Sequence, residues 1–159
     1  MITIVTGKIN EGKTTTLKSH YLKHKQGDGF ISEKKMIDQK VYSFTSVRLS
    51  TQEFKLLMMH EHFYSDDFLS VGKIGPYYIN LVTLDWIEKI IDQIIALKTE
   101  PIYLDEIGNL EIKGYGYHRI FRKMIDSKLD LVISAREDLV KTIIETYELK
   151  DVKLLKVNP

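Results

Sequence analysis

The 159-residue sequence contains no cysteine, only three prolines and only one tryptophan. The absence of cysteine excludes disulfide bonds and metal sites built on thiolates. No apolar run approaches the roughly eighteen residues of a membrane span, and the N-terminal run at residues 1–5 is too short for a signal peptide. We therefore expect a cytoplasmic protein that has no membrane partner.

No excess of charge of one sign is present either. Lysine and arginine total 23 against 22 aspartates and glutamates, which gives a net charge of +1. A nucleic-acid-binding domain usually carries a basic excess, so nucleic acid is not an expected partner. The composition, 43% hydrophobic and 28% charged, is that of an ordinary globular protein.

The apolar residues alternate between strand and helix periods along the chain. Strands are predicted at residues 1–6, 101–105, 129–134 and 152–157, and helices at 14–25, 83–98, 116–128 and 137–148. This alternation predicts an α/β fold, with a mainly parallel sheet flanked by helices, in a single domain over residues 1–159. Two further strands, at residues 30–33 and 40–49, predict an added β-hairpin within a less regular insert at roughly 28–80.

The first strand leads into a phosphate-binding motif. Gly7, Gly12, Lys13 and Thr14 fit the pattern G-x-x-x-x-G-K-[ST] between a strand and a helix, which is the context that this motif requires. Loop amides would surround the β-phosphate, Lys13 would reach the β- and γ-oxygens, and Thr14 would offer its hydroxyl to Mg²⁺. The predicted nucleotide-binding residues are Gly7, Lys8, Ile9, Asn10, Glu11, Gly12, Lys13, Thr14 and Thr15.

Two residues inside this loop are unusual. Asn10 stands where many such loops carry glycine, and asparagine tolerates a positive φ better than most residues. Glu11 brings a negative charge next to a polyanion, so its carboxylate is expected to point to solvent.

Two acidic residues follow the predicted strand at 101–105. Asp105 and Glu106 come at the carboxyl end of the strand, which is where α/β sheets place their ligands. Asp105 is expected to hold Mg²⁺ together with Thr14, and Glu106 to polarise a water for attack on the γ-phosphorus. The alternative is that both residues simply end a strand with polar side chains. Glu111 lies within reach of the same strand end if the chain turns at Gly108.

Arginine is scarce, with four in the whole chain. Arg136 follows the predicted strand at 129–134 and would lie near the same sheet edge, where a guanidinium could stabilise charge on the γ-phosphate. We count it with Lys13 and Glu106 as a candidate catalytic residue. The alternative is an ion pair between Arg136 and Asp138.

In these motifs the chain resembles the small P-loop nucleoside-triphosphatases first described from thermophiles, whose vertebrate member is called cancer-related nucleoside-triphosphatase. The resemblance implies a RecA-like or AAA-related sheet and slow, Mg²⁺-dependent hydrolysis of ATP, GTP and other triphosphates to diphosphate and phosphate. It follows the family order through the loop at 7–14, the segment 29–33 with its hairpin, Val71-Gly72-Lys73, Asp105-Glu-Ile-Gly108 with Leu110-Glu111, and the last strand near Val152.

The chain also departs from the family pattern. It has Ile9-Asn10 where the family usually has Pro-Gly, and Asn109 where the family usually has lysine. An arginine that often follows the segment 29–33 is replaced by the neighbouring Lys34 and Lys35, and the Asn-Arg near the family's C-terminus has no counterpart. These positions bear on rate and base preference.

The residues leave two other functions open. A small-molecule kinase uses the same phosphate loop, although kinases of this kind commonly carry an arginine-rich lid. A nucleotide-gated module would use slow hydrolysis to reset its interaction with a protein partner. The sequence leaves the oligomeric state open as well, and a neighbouring subunit could supply an arginine.

Overall fold

Helices and strands alternate along residues 1–61 and 72–157, which are the residues that the computed structural model describes. The elements are β1 (Ile2–Gly7), α1 (Lys13–His24), β2 (Asp28–Ile37), β3 (Lys40–Arg48), β4 (Phe54–His60), β5 (Gly72–Ile74), β6 (Tyr77–Ile79), α2 (Leu81–Ala96), β7 (Ile102–Leu104), α3 (Asn109–Ile112), α4 (His118–Asp126), β8 (Leu131–Arg136), α5 (Val140–Thr146) and β9 (Val152–Lys156). Over these ranges, no helix combines the length and the apolar character needed to cross a bilayer.

The strands form one sheet with the order β5-β6-β4-β3-β2-β7-β8-β1-β9. From β2 to β9 every pairing is parallel, whereas β2, β3, β4, β6 and β5 pair antiparallel. The α/β fold with a parallel sheet and an added hairpin is therefore confirmed. The parallel part brings the carboxyl ends of β1, β7 and β8 to one edge.

Helices cover both faces of the parallel part. On one face Leu17 of α1 packs with Val5, Ile31 and Tyr103. On the other face the core contains residues from α2, α4, α5 and the strands, among them Ile4, Ile87, Leu104, Phe121 and Ile143. The strands β7 and β8 are buried almost throughout, as expected for parallel strands covered on both faces.

Asp28 and Gly29 fix the base of the hairpin to β7. The buried Asp28 carboxylate accepts hydrogen bonds from Ser50 Oγ at 2.7 Å and from Arg48 Nε at 2.9 Å. Gly29 has φ 149°, and a Cβ there would lie 2.0 Å from the carbonyl oxygen of Tyr103. Only glycine therefore allows β2 to pair with β7 at this point.

The structure extends the prediction between residues 30 and 80. The strand β2 continues to Ile37, beyond the predicted end at Glu33, because its exposed outer half is held by backbone pairing with β3 rather than by burial. The strands β4, β5 and β6 were not predicted. Val71 of the family-like segment lies outside the described residues.

Candidate functional site

The loop between β1 and α1 has the backbone form that the motif requires. Asn10 has φ 59° and Gly12 has φ 89°, so both adopt the left-handed conformation, as expected for Asn10. Gly12 is the N-cap residue of α1 and has no side chain with which to cap the first turn. The amides at the start of α1 can therefore serve an anion.

Lys13 folds back over this loop. Its Nζ donates to the carbonyl oxygen of Lys8 at 2.5 Å and lies 3.5 Å from that of Gly7. Partial burial, together with the nearby charge of Lys34, lowers the pKa of Lys13. These two carbonyl groups thus hold the Lys13 ammonium at the loop. The oxygens of a bound phosphate would take their place as acceptors.

Glu11 does not point to solvent, so this expectation is wrong. Its carboxylate accepts a hydrogen bond from the backbone N–H of Lys8 and is half-buried against the loop. A Cβ at Gly7 would lie 3.0 Å from Oε2 of Glu11. The loop amide of Lys8 offsets the carboxylate charge locally, which explains how an acidic residue fits here.

Asp105 joins the loop to the middle of the sheet. Its Oδ2 accepts from Thr14 Oγ1 at 2.7 Å and from the backbone N–H of Ser32 at 3.0 Å. Its other oxygen accepts from Ser134 Oγ. Burial raises the pKa of Asp105, and these three hydrogen bonds act against that shift. The predicted pair of hard oxygen ligands, Thr14 and Asp105, is thus in direct contact.

Glu106 faces the same space with an unusual backbone. Its φ is 65°, and its N–H donates to Ser134 Oγ at 2.7 Å, which fixes the turn after β7. Its Oε1 lies 3.0 Å from Nζ of Lys34. Burial and the neighbouring Asp105 charge raise the pKa of Glu106, while Lys34 acts to lower it.

Lys34, Ser32 and Ser134 are site residues that the sequence does not assign. The sequence marks Lys34 only as a neighbour of a position where the family often has arginine. Ser32 and Lys34 are two residues apart on β2, so both side chains lie on the same face of the strand. The alternation of side chains along a strand predicts that Lys34 faces the site only if β2 extends beyond Glu33, and the structure shows that it extends to Ile37.

Arg136 forms an ion pair with Asp138, which is the alternative to a catalytic role that the sequence left open. It ends β8 opposite Gly7 in the register, and its Nη2 lies 3.2 Å from Oδ2 of Asp138. Its buried Nε has no hydrogen-bond partner within the part of the chain that the structure describes. Its catalytic role stays a prediction.

Glu111 is a structural carboxylate. It accepts hydrogen bonds from the N–H groups of Gly108 at 2.7 Å and of Tyr117 at 2.9 Å, and so closes the turn around α3. Burial raises the pKa of Glu111 to about 7.

These side chains surround a cavity of about 440 Å³ that we call the phosphate cleft. It brings together Lys13, Thr14 and Glu106, with Asp105 bonded directly behind Thr14. Ile9 lines a neighbouring cavity that Arg136 also lines. The residues that line the phosphate cleft are Asn10, Glu11, Gly12, Lys13, Thr14, Ser32, Glu33, Lys34 and Glu106.

Comparisons with known proteins show the family of the chain. A family model described as NTPase matches residues 2–159. The nucleoside-triphosphatase THEP1 of Thermotoga sp. strain RQ2 is 25% identical over 155 residues, which span 98% of this chain and 85% of that protein. The Thermotoga maritima protein of the same name is 24% identical over equal shares.

Two solved structures share the fold. THEP1 from the hyperthermophile Aquifex aeolicus superposes with a TM-score of 0.70 at 21% identity, covering 100% of this chain and 91% of that one. A human cancer-related nucleoside triphosphatase superposes with a TM-score of 0.62 at 17% identity, covering 98% and 88%.

Proposed function

The chain belongs to the NTPase family, and from that premise we propose that it hydrolyses ATP, GTP and other nucleoside triphosphates to diphosphate and phosphate, slowly and with Mg²⁺. One observation carries the proposal. Thr14 Oγ1 and Asp105 Oδ2 meet at 2.7 Å at the phosphate loop, and Glu106, the next residue, lines the same phosphate cleft. The groups that we propose as metal ligands and as the water-activating carboxylate are therefore close together at the phosphate loop.

The loop supplies the binding of the triphosphate. Backbone amides at the end of the loop and at the start of α1 would take the β-phosphate. The N–H of Lys8 is donated to Glu11 instead. Lys13 would exchange its loop carbonyls for β- and γ-oxygens. This exchange is favourable, because a phosphate oxygen carries a formal charge and a carbonyl does not.

The donor set at Thr14 and Asp105 fits Mg²⁺. The ion prefers hard oxygen ligands in an octahedron, and it is commonly held by one or two protein groups together with substrate phosphates. Within the described ranges no group of three or more His, Cys, Asp or Glu side chains could hold a metal ion. Oxygens of the triphosphate and water would add to Thr14 and Asp105. The bound ion would neutralise charge on the β- and γ-phosphates.

Glu106 would orient and deprotonate the attacking water. Its raised pKa brings the carboxylate closer to the range in which a general base works well at neutral pH. Its pairing with Lys34 at 3.0 Å competes with this role. A triphosphate would draw Lys34 toward its own charge and free Glu106 for water. This rearrangement, together with the pairing of Arg136 with Asp138, supports slow turnover.

The residues that line the phosphate cleft support a broad specificity for the nucleobase of the triphosphate. Among the described residues that line it, all are loop or polar residues and none is aromatic, so the cleft itself offers no ring on which one base could stack in preference to another. Recognition would therefore concentrate on the triphosphate.

The test is phosphate release from purified protein with ATP, GTP, CTP and UTP, each with Mg²⁺ and with a chelator. We expect release from all four, within about tenfold of one another, and loss of release in the chelator. Release from only one triphosphate, or release that is unchanged by chelation, would contradict the proposal.

A further inference from the structure

A second cavity adjoins the phosphate cleft, and hydrolysis does not explain it. It measures about 560 Å³ and we call it the apolar chamber, after wall residues that include Val41, Phe44, Leu57, Met58, Leu84 and Leu139. The two cavities share Lys13, Ser32, Lys34 and Glu106. An attacking water occupies about 30 Å³, so the apolar chamber is far larger than hydrolysis requires.

The volume and the lining are those of a small-molecule site. Ligand cavities usually measure about 300–1,000 Å³ and have mainly apolar walls with a few polar groups in fixed positions. Here three charged groups, Lys13, Lys34 and Glu106, lie where the apolar chamber meets the phosphate cleft, and a few other polar residues, among them Asn109 and Arg136, complete the wall. An occupant would therefore place its apolar body in the chamber and a polar end beside the γ-phosphate.

Two polar side chains of the chamber wall are already satisfied within the protein. The hydroxyl of Tyr117 lies 3.2 Å from Ser46 Oγ, and the carboxylate of Glu111 accepts from two backbone N–H groups. A nucleobase would need partners for its own donors and acceptors when buried, which Tyr117 and Glu111 do not offer. Asn109 and Arg136 are further polar groups of the wall, and the rest of it is mainly apolar, so the wall suits an apolar body.

We propose that the apolar chamber binds an apolar primary alcohol, whose hydroxyl takes the place of the attacking water and accepts the γ-phosphoryl group. The hydroxyl oxygen forms the new bond to the γ-phosphorus, and the bond from that phosphorus to the β–γ bridging oxygen breaks. The diphosphate leaves with the electron pair, and the hydroxyl proton passes to Glu106. The products are a nucleoside diphosphate and a phosphomonoester.

The proposal rests on triphosphate binding in the phosphate cleft, and the test separates the two. The protein is incubated with Mg²⁺ and ATP labelled in its γ-phosphate, together with straight-chain primary alcohols from butanol to octanol at equal concentration. Labelled phosphate and labelled alkyl phosphate are then separated. We expect alkyl phosphate to form and its share to rise about fourfold per added methylene group until the chamber is filled.

Variants that fill the apolar chamber test whether the alcohol binds there. Val41→Trp should lower the share of alkyl phosphate by about tenfold and leave phosphate release within about twofold, because the indole occupies alcohol space away from the phosphates. Leu84→Trp serves if Val41→Trp does not fold. The matched control is Val82→Trp, at a residue that is 68% exposed and outside the chamber wall, and it should change neither product.

Three outcomes would overturn the proposal. The first is that phosphate is the only labelled product with every alcohol. The second is that Val41→Trp and Leu84→Trp leave the share of alkyl phosphate unchanged. The third is that they raise the KM for ATP instead, which would make the apolar chamber part of the nucleoside site. Failure of the proposed hydrolysis is a separate result, in which neither product forms.

Discussion

At the scale of single residues, the positive charge in the phosphate cleft comes from two different parts of the fold. Lys13 belongs to the phosphate loop, whereas Lys34 comes from the antiparallel side of the sheet and pairs with Glu106 at 3.0 Å. Each lysine faces the space where the γ-phosphate would lie. Charges in a partly buried cleft act more strongly than on an open surface, so both should affect turnover.

Lys34 should contribute its charge to turnover. Lys34→Ala should lower kcat/KM for ATP by about tenfold or more, because the phosphate cleft loses a charge that faces the triphosphate. Lys34→Arg should retain most of the activity, since it keeps the charge. The matched control is Lys35→Ala on the opposite face of β2, where Lys35 Nζ lies over the ring of Tyr42. Equal losses in Lys34→Ala and Lys35→Ala would remove Lys34 from the site.

Glu111 gives a prediction about the pH dependence of stability. Its pKa is about 7 in the folded protein, against the ordinary glutamate value of 4.5. Between these pH values the unfolded chain releases the Glu111 proton while the folded chain keeps it. The free energy of unfolding therefore falls as pH rises through this window, by about 3 kcal/mol, and stays lower above it.

Glu111→Gln removes this contribution. The free energy of unfolding of the variant relative to the parent should rise by about 3 kcal/mol between pH 4.5 and pH 7, as measured by urea unfolding. Glu145→Gln, at an exposed residue of α5, is the control. Parallel pH profiles of Glu111→Gln and the parent protein would show that burial does not shift Glu111 in this way.

At the scale of elements, the hairpin β2–β3 both builds the wall of the phosphate cleft and extends the sheet. Its base is held by Asp28, which is 5% exposed and accepts hydrogen bonds from Gly29, Ser50 and Arg48. The outer half of the hairpin places Lys34 next to Glu106. The position of the hairpin therefore determines whether the phosphate cleft has its second lysine.

Asp28→Ala should lower the free energy of unfolding by about 3 kcal/mol, because it leaves the partly buried Arg48 and the Ser50 hydroxyl without their acceptor. Asp126→Ala on the exposed side of α4 should change it by no more than about 0.5 kcal/mol. Urea unfolding of both variants gives the comparison. A loss below about 1 kcal/mol in Asp28→Ala would show that the hairpin is held mainly by its backbone pairing.

The parts of the fold that the sequence predicted are those set by local pattern. The β1–loop–α1 unit and the strand before Asp105 follow from continuous apolar runs and from the spacing of two glycines and a lysine. The outer half of β2 did not follow, because its side chains are exposed and only its partner strand keeps it extended. The orientation of Glu11 did not follow either, since it depends on a hydrogen bond to Lys8 inside the folded loop.

At the scale of the whole molecule, the parallel and the antiparallel strands both contribute residues to one edge of the sheet. The parallel strands bring the phosphate loop, Asp105 and Ser134 together, while the antiparallel strands close the far side with Lys34. The family model matches residues 2–159 and so includes both sets of strands. We expect this edge of the sheet to hydrolyse triphosphates through Glu106.

Turnover and triphosphate binding in Glu106→Gln measure the role of Glu106 most directly. With Mg²⁺ and ATP, we expect kcat to fall by about a hundredfold or more, because the amide cannot accept the proton of the attacking water. The dissociation constant for a non-hydrolysable triphosphate should stay within about threefold, because Lys13 and the loop amides are unchanged. Turnover equal to that of the parent protein would contradict the account.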